Sequence, residues 1–139
     1  METIHHYGGC FLGLCETDFH LTKVVDSLIE RGVNQVYLIG ANKTLRACHA
    51  LHKEIKKRKL PIAVCVLLKG INRDVPIFDG CFGFETAVEE SSRIIEKAYA
   101  FSHSYENGIS LVKLPGYNSG FLASYAVLAT VNANICLVP

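Results

Sequence analysis

The segment Pro61-Ile62-Ala63-Val64-Cys65-Val66-Leu67-Leu68 constrains the fold most, because seven apolar residues follow the proline without a break. A helix shows one apolar stripe and a half-exposed strand alternates, so an unbroken run of this length suits a strand covered on both faces of a parallel sheet. Parallel strands need crossovers of a dozen or more residues, usually helical, and helical patterns flank the run. Val36 to Ile39 reads as an earlier strand, and Thr44 opens a helix whose apolar side holds Leu45, Cys48, Leu51 and Ile55. Upstream, Leu21, Val24, Val25, Leu28 and Ile29 recur at helical spacing after a cap at Thr17 or Asp18, with Gly32 placed for a left-handed C-terminal residue. Downstream, Glu85, Glu89 and Glu90 begin a helix presenting Ala87, Val88, Ile94, Ile95 and Ala98. Asn107-Gly108 then marks a turn, Ile109 to Leu114 a strand, Asn118 to about Thr130 a helix and Ile135 to Val138 a last strand. This alternation predicts an α/β domain over residues 1–139: a three-layer α-β-α parallel sheet of about four strands, with helices on both faces.

Composition removes several function classes. A net charge of +1 gives no field that would recruit nucleic acid or an anionic membrane. The basic cluster Lys53, Lys56, Lys57, Arg58, Lys59 lies in the last turns of a helix, where cations offset the dipole, and reads as a solvated face. No apolar run reaches the roughly 18 residues of a membrane span, and Met1 to His6 carries no basic-then-apolar leader. The expectation is a soluble cytoplasmic protein. The six cysteines are scattered without a C-x-x-C pair; Cys48, Cys65 and Cys136 fall in apolar patterns and are expected to be reduced and structural. His49 and His52 have no third ligand spaced to join them, and read as surface or packing residues.

In a sheet of this kind ligands lie beyond the carboxyl ends of the strands. Three such ends define the candidate site: Gly40 to Thr44, Lys69 to Asp74, and Leu114 to Asn118. The turn Gly40-Ala41-Asn42-Lys43-Thr44 joins a strand to a helix start, where unpartnered N–H groups and the helix dipole favour an anion. Lys43 is either an anion ligand there or a solvated lysine. The glycine-bearing segment Gly8 to Gly13 reads as a loop that packs Phe11 and Leu12 inward.

These segments, in this order, resemble the phosphofructokinase family, and more closely its plant ATP-dependent and pyrophosphate-dependent branch. Gly8-Gly9-Cys10-Phe11-Leu12-Gly13 is similar to the family's G-G-T-x-L-G, and Phe82-Gly83-Phe84-Glu85-Thr86-Ala87-Val88-Glu89-Glu90 to its F-G-F-Q-T-A-V-E-E. Val112-Lys113-Leu114-Pro115-Gly116-Tyr117-Asn118-Ser119-Gly120-Phe121 is similar to V-K-L-M-G-R-S-A-G-F. The resemblance covers the whole chain but only the middle of the family's catalytic region. It implies a Rossmann-like nucleotide-binding domain, Mg²⁺ and ATP as cofactors, and phosphoryl transfer to the 1-hydroxyl of fructose 6-phosphate. As partners it implies a full-length phosphofructokinase subunit or a second copy of the chain.

The resemblance also implies roles for residues. Gly8, Gly9, Gly40, Lys43 and Thr44 fall on the cofactor side, and Gly116 on the substrate side. Gly40-Ala41-Asn42-Lys43-Thr44 stands against the family's G-G-D-G-T, placing Asn42 at the metal-associated aspartate. Lys69-Gly70-Ile71-Asn72-Arg73-Asp74 stands against K-T-I-D-N-D, placing Asn72 at the catalytic base while Lys69 and Asp74 match. Glu16 replaces a phosphate-facing arginine and Tyr117 a substrate-binding arginine. An amide cannot accept the hydroxyl proton, and Mg²⁺ is held mainly by carboxylates and substrate phosphates. The substitutions therefore point to an inactive family member, against the alternatives of half of a composite active site or a small phosphate or nucleotide sensor.

Overall fold

The computed structural model describes residues 3–11, 13, 20–116 and 119–139. Leu12, Glu16, Tyr117 and Asn118, with the cap expected at Thr17 or Asp18, lie outside the described residues. After a single 3-10 turn at Ile4–His6, the order is α1 (Leu21–Glu30), β1 (Gln35–Gly40), α2 (Asn42–Lys57), β2 (Ala63–Leu68), α3 (Phe84–Ser102) and α4 (Phe121–Ala129). β1 and β2 are parallel, in register from Gln35↔Ala63 to Gly40↔Leu68. The α/β class and parallel pairing expected from the apolar run are present.

Helix ends follow local chemistry. α1 stops as its pattern predicts: Gly32 adopts φ 63°, and the N–H groups of Gly32 and Val33 close back on the carbonyls of Ile29 and Leu28 at 3.0 Å each. α2 begins at Asn42, two residues before the expected Thr44, with Ala41 as its cap residue. The basic residues at its end stay solvated except Arg58, which donates to Asp26 (2.6 Å) and Glu54 (2.7 Å) and so ties α2 to α1. α4 starts at Phe121 from a left-handed Gly120, inside the wider span expected.

Two cores form. Val25, Leu51 and Ile55 are buried between α1, α2 and one face of the sheet, with Val36, Leu38 and Val64 packed against them. Leu68, Cys81, Phe84 and Leu122 form the second core where the end of β2 meets α3 and α4.

Three expectations need correction. Among the described residues the sheet has two strands rather than about four. Residues 109–114 alternate exposed and half-buried positions as a strand does, yet neither they nor 135–138 join a ladder. They flank a groove instead. Among the described residues, elements also cover only one face of the sheet. Tyr37 (61%) and Ile39 (63%) are exposed on the other face, as is Cys65, and Cys136 is exposed beside the groove. A thiol in an apolar run is buried only where a second layer covers that side. The five cysteines among the described residues are free thiols, as expected. Phe11 points to solvent rather than inward, at 74% exposure.

Candidate active site at the ends of the two strands

β1 delivers the turn and the sequence fixes its shape. A Cβ at Gly40 would collide with the Thr44 hydroxyl, so only glycine lets the strand end pass so close to the first turn of α2. The helix then starts with Thr44 N–H on the Ala41 carbonyl at 2.8 Å. The Ala41 cap supplies no side-chain acceptor. Lys43 is exposed on this first turn and Thr44 is half-buried.

β2 delivers the second loop. Just past the end of β2, Lys69 N–H donates to the Gly40 carbonyl at 2.9 Å and Gly70 N–H to the Phe82 carbonyl at 2.9 Å. Lys69 to Asp74 is thereby held beside the turn. Asn42 Nδ2 donates to Asp74 Oδ2 at 2.8 Å, linking loops 32 residues apart in sequence. The opposite amide orientation would set a carbonyl oxygen against a carboxylate, so the donor orientation is the attractive one. Asn72 is half-buried in the same place. Asn42, Asn72, Arg73, Asp74 and Cys81 line one depression of about 30 Å³.

Of the residues expected from sequence, the structure thus brings together Asn42, Asn72 and Asp74 beside the Gly40 turn. Lys69 is exposed next to them. Lys43 and Thr44 belong to the turn but do not line the depression. Gly8 and Gly9 stand clear of it, and a Cβ on either would touch nothing within 4 Å. Gly116 lines the separate groove, of about 710 Å³, between residues 108–116 and 132–139 above α3 and α4. Glu16 and Tyr117 lie outside the described residues.

Sequence reasoning missed Arg73 and Cys81. The Arg73 guanidinium lies 5.4 Å from the Phe84 ring centroid and 5.3 Å from that of Tyr125, and it donates to the Asp79 carbonyl at 2.9 Å. It bolts the loop to α3 and α4. The available signal was an arginine placed where the resembling motif has a small amide. Cys81 is buried and its Sγ donates to the Gly70 carbonyl at 3.2 Å. Burial pushes its thiol pKa up.

The sequence that builds these strand ends is similar to known proteins. The sequence profile described as Phosphofructokinase matches residues 1–139. The chain belongs to the phosphofructokinase family. It is 48% identical over 139 residues to ATP-dependent 6-phosphofructokinase 1 of Arabidopsis thaliana, covering all of this chain and 29% of that protein. It is 44% identical to ATP-dependent 6-phosphofructokinase 7 of the same plant, again over 29% of the relative. The ATP-dependent 6-phosphofructokinase of Trypanosoma brucei brucei is 40% identical, with 28% of it covered. This phosphofructokinase-family chain therefore spans less than a third of the length of the curated relatives it matches.

The relatives are named as ATP-dependent enzymes, so the site can be tested for the groups the family implies. For Mg²⁺ the donor set does not fit. Asp74 is the one carboxylate in the depression, and one of its oxygens already accepts from Asn42. Among the described residues no group of three or more His, Cys, Asp or Glu side chains is placed to hold a metal. For ATP, the depression by itself is too small to hold a nucleotide. A volume near 30 Å³ admits about one or two waters, whereas ligand pockets run to roughly 300–1,000 Å³.

Proposed function

We propose that this phosphofructokinase-family chain does not transfer phosphate by itself and is an inactive member of the family. The observation that carries this reading is the amide at Asn72, which lines the depression at the position the resemblance gives to the base. Beside it, the Asp74 carboxylate is committed to Asn42. A positioned base typically contributes a factor of about 10² to 10⁴, equivalent to roughly 3–5 kcal/mol of barrier. That loss compounds with a donor set unsuited to Mg²⁺. The deciding experiment is a coupled assay of the pure chain with fructose 6-phosphate and either ATP or pyrophosphate. No turnover above buffer is expected; sustained turnover that scales with chain concentration would overturn the reading.

The same reading assigns the uncovered sheet face and the groove to contact with a longer member of the family, a second copy being the other occupant. The shares of 28–29% of the relatives' lengths support it. Among the described residues no helix is long and apolar enough to cross a membrane. We place the chain in the cytoplasm, although two relatives 43% and 41% identical are named as chloroplastic.

A further inference from the structure

We infer that Asn42 has replaced a divalent cation as the partner of Asp74, so that the junction between the two strand-end loops is held together without metal. The inference concerns the same site as the function proposed above and rests on that assignment of the family's metal position. Three observations meet here. Asn42 Nδ2 donates to Asp74 Oδ2 at 2.8 Å. The depression beside them is lined by one carboxylate and two amides, with Arg73 as its only cation. The loop is anchored on its far side by Arg73, which donates to the Asp79 carbonyl and lies over the Phe84 and Tyr125 rings. The bridge between the two loops, which a cation would make by binding both, is made here by a neutral side-chain N–H, and the Asp74 carboxylate keeps its charge at the exposed surface.

The chemistry is specific to an amide. An aspartate at position 42 would face Asp74 with a like charge at hydrogen-bonding distance, and such a pair takes up a proton or a cation to persist. Asparagine removes that demand and adds a donor. The two strand ends are already brought together by their pairing and by Lys69 N–H on the Gly40 carbonyl, so the bond needs no rearrangement of the backbone. Both residues are exposed, so an added ion has open access to them.

Mn²⁺, which broadens nearby amide resonances, is the probe. With increasing MnCl₂, the backbone amides of Ala41 to Lys43 and Asn72 to Asp74 in the wild-type chain should keep their intensity relative to remote amides. In Asn42→Asp the same six should lose most of theirs, and excess MgCl₂ should restore it by competition. The double variant Asn42→Asp/Asp74→Asn keeps one carboxylate facing one amide. It should resist Mn²⁺ as the wild type does, and it settles the matter should Asn42→Asp fail to fold. Selective broadening in the wild type or in the double variant, or equal silence of the wild type and a folded Asn42→Asp, would overturn the inference. The two readings fail separately: wild-type broadening without turnover strikes only this inference, and turnover without broadening strikes only the proposed function.

Discussion

Arg73 sits at φ 47°, a conformation that costs a residue with a Cβ on the order of 1 kcal/mol or more. Its contacts with Asp79, Phe84 and Tyr125 offset that cost, and the strained backbone carries the guanidinium onto the two rings. Cys81, behind the same loop, supplies a pH-dependent reading. Burial raises its folded-state pKa, and burial followed by the nearby Cys65 raises that of Cys48. A raised thiol pKa means that the folded chain keeps a proton the unfolded chain loses first. The associated stability is fully present below the ordinary thiol value, about 8.5, and declines as pH climbs from there through the raised folded values. Chemical denaturation should accordingly show a loss of stability above that pH, reduced in Cys81→Ser. A profile in which Cys81→Ser falls as steeply as the wild type would contradict the assignment. At pH 8, alkylation followed by mass spectrometry should label exposed Cys10, Cys65 and Cys136 well before Cys81.

At the scale of elements, the junction of β1 with α2 depends on one missing Cβ. Gly40→Ala forces that atom into the Thr44 side chain. The variant should lose about 1–3 kcal/mol of stability, in the range of an overpacked core, and Thr44→Ala in the same background should recover part of it by removing the hydroxyl that the new Cβ meets. Urea titrations of the three proteins measure this, and an unchanged Gly40→Ala would refute the close approach. The elements themselves were largely legible. The apolar run gave β2, the spacing of Leu21, Val24, Val25 and Leu28 gave α1, and Gly32 gave its end. Pairing was not legible for residues 109–114, because a period of two sets which side chains share a face without supplying a neighbouring strand. Coverage was not legible either: Cys65 sits in a run that reads as doubly buried, while no described helix packs on its side of the sheet. For the site, the strand ends and the positions of Asn42, Asn72 and Asp74 could be read from motif spacing. The Asn42–Asp74 bond spans 32 residues and could not be read, nor could the role of Arg73, which needs rings from two helices.

The whole molecule exposes 11241 Å². A folded monomer of 15.3 kDa is expected to expose about 7,100 Å², and its extended chain about 22,000 Å². The chain therefore buries about three-quarters of the area that a compact protein of its mass would bury. The excess includes the outer sheet face at Tyr37 and Ile39 and the groove side at Ile109 and Leu111, which are 95% and 87% exposed.

That half-clothed sheet carries a calorimetric signature. The heat-capacity change of unfolding follows the surface newly hydrated, and an ordinary protein of this length would show about 1.9 kcal/mol/K. Here roughly 1.4 kcal/mol/K is expected for the isolated chain, by scaling that value to the smaller buried area. Scanning calorimetry at several pH values checks this, and the ordinary value from the chain alone would mean that its apolar faces are covered in solution. Less curvature in the free energy follows from the smaller term, so stability changes slowly with temperature around its maximum. Covering the exposed face with a partner would steepen that curve, and its curvature then serves as a thermometer of assembly.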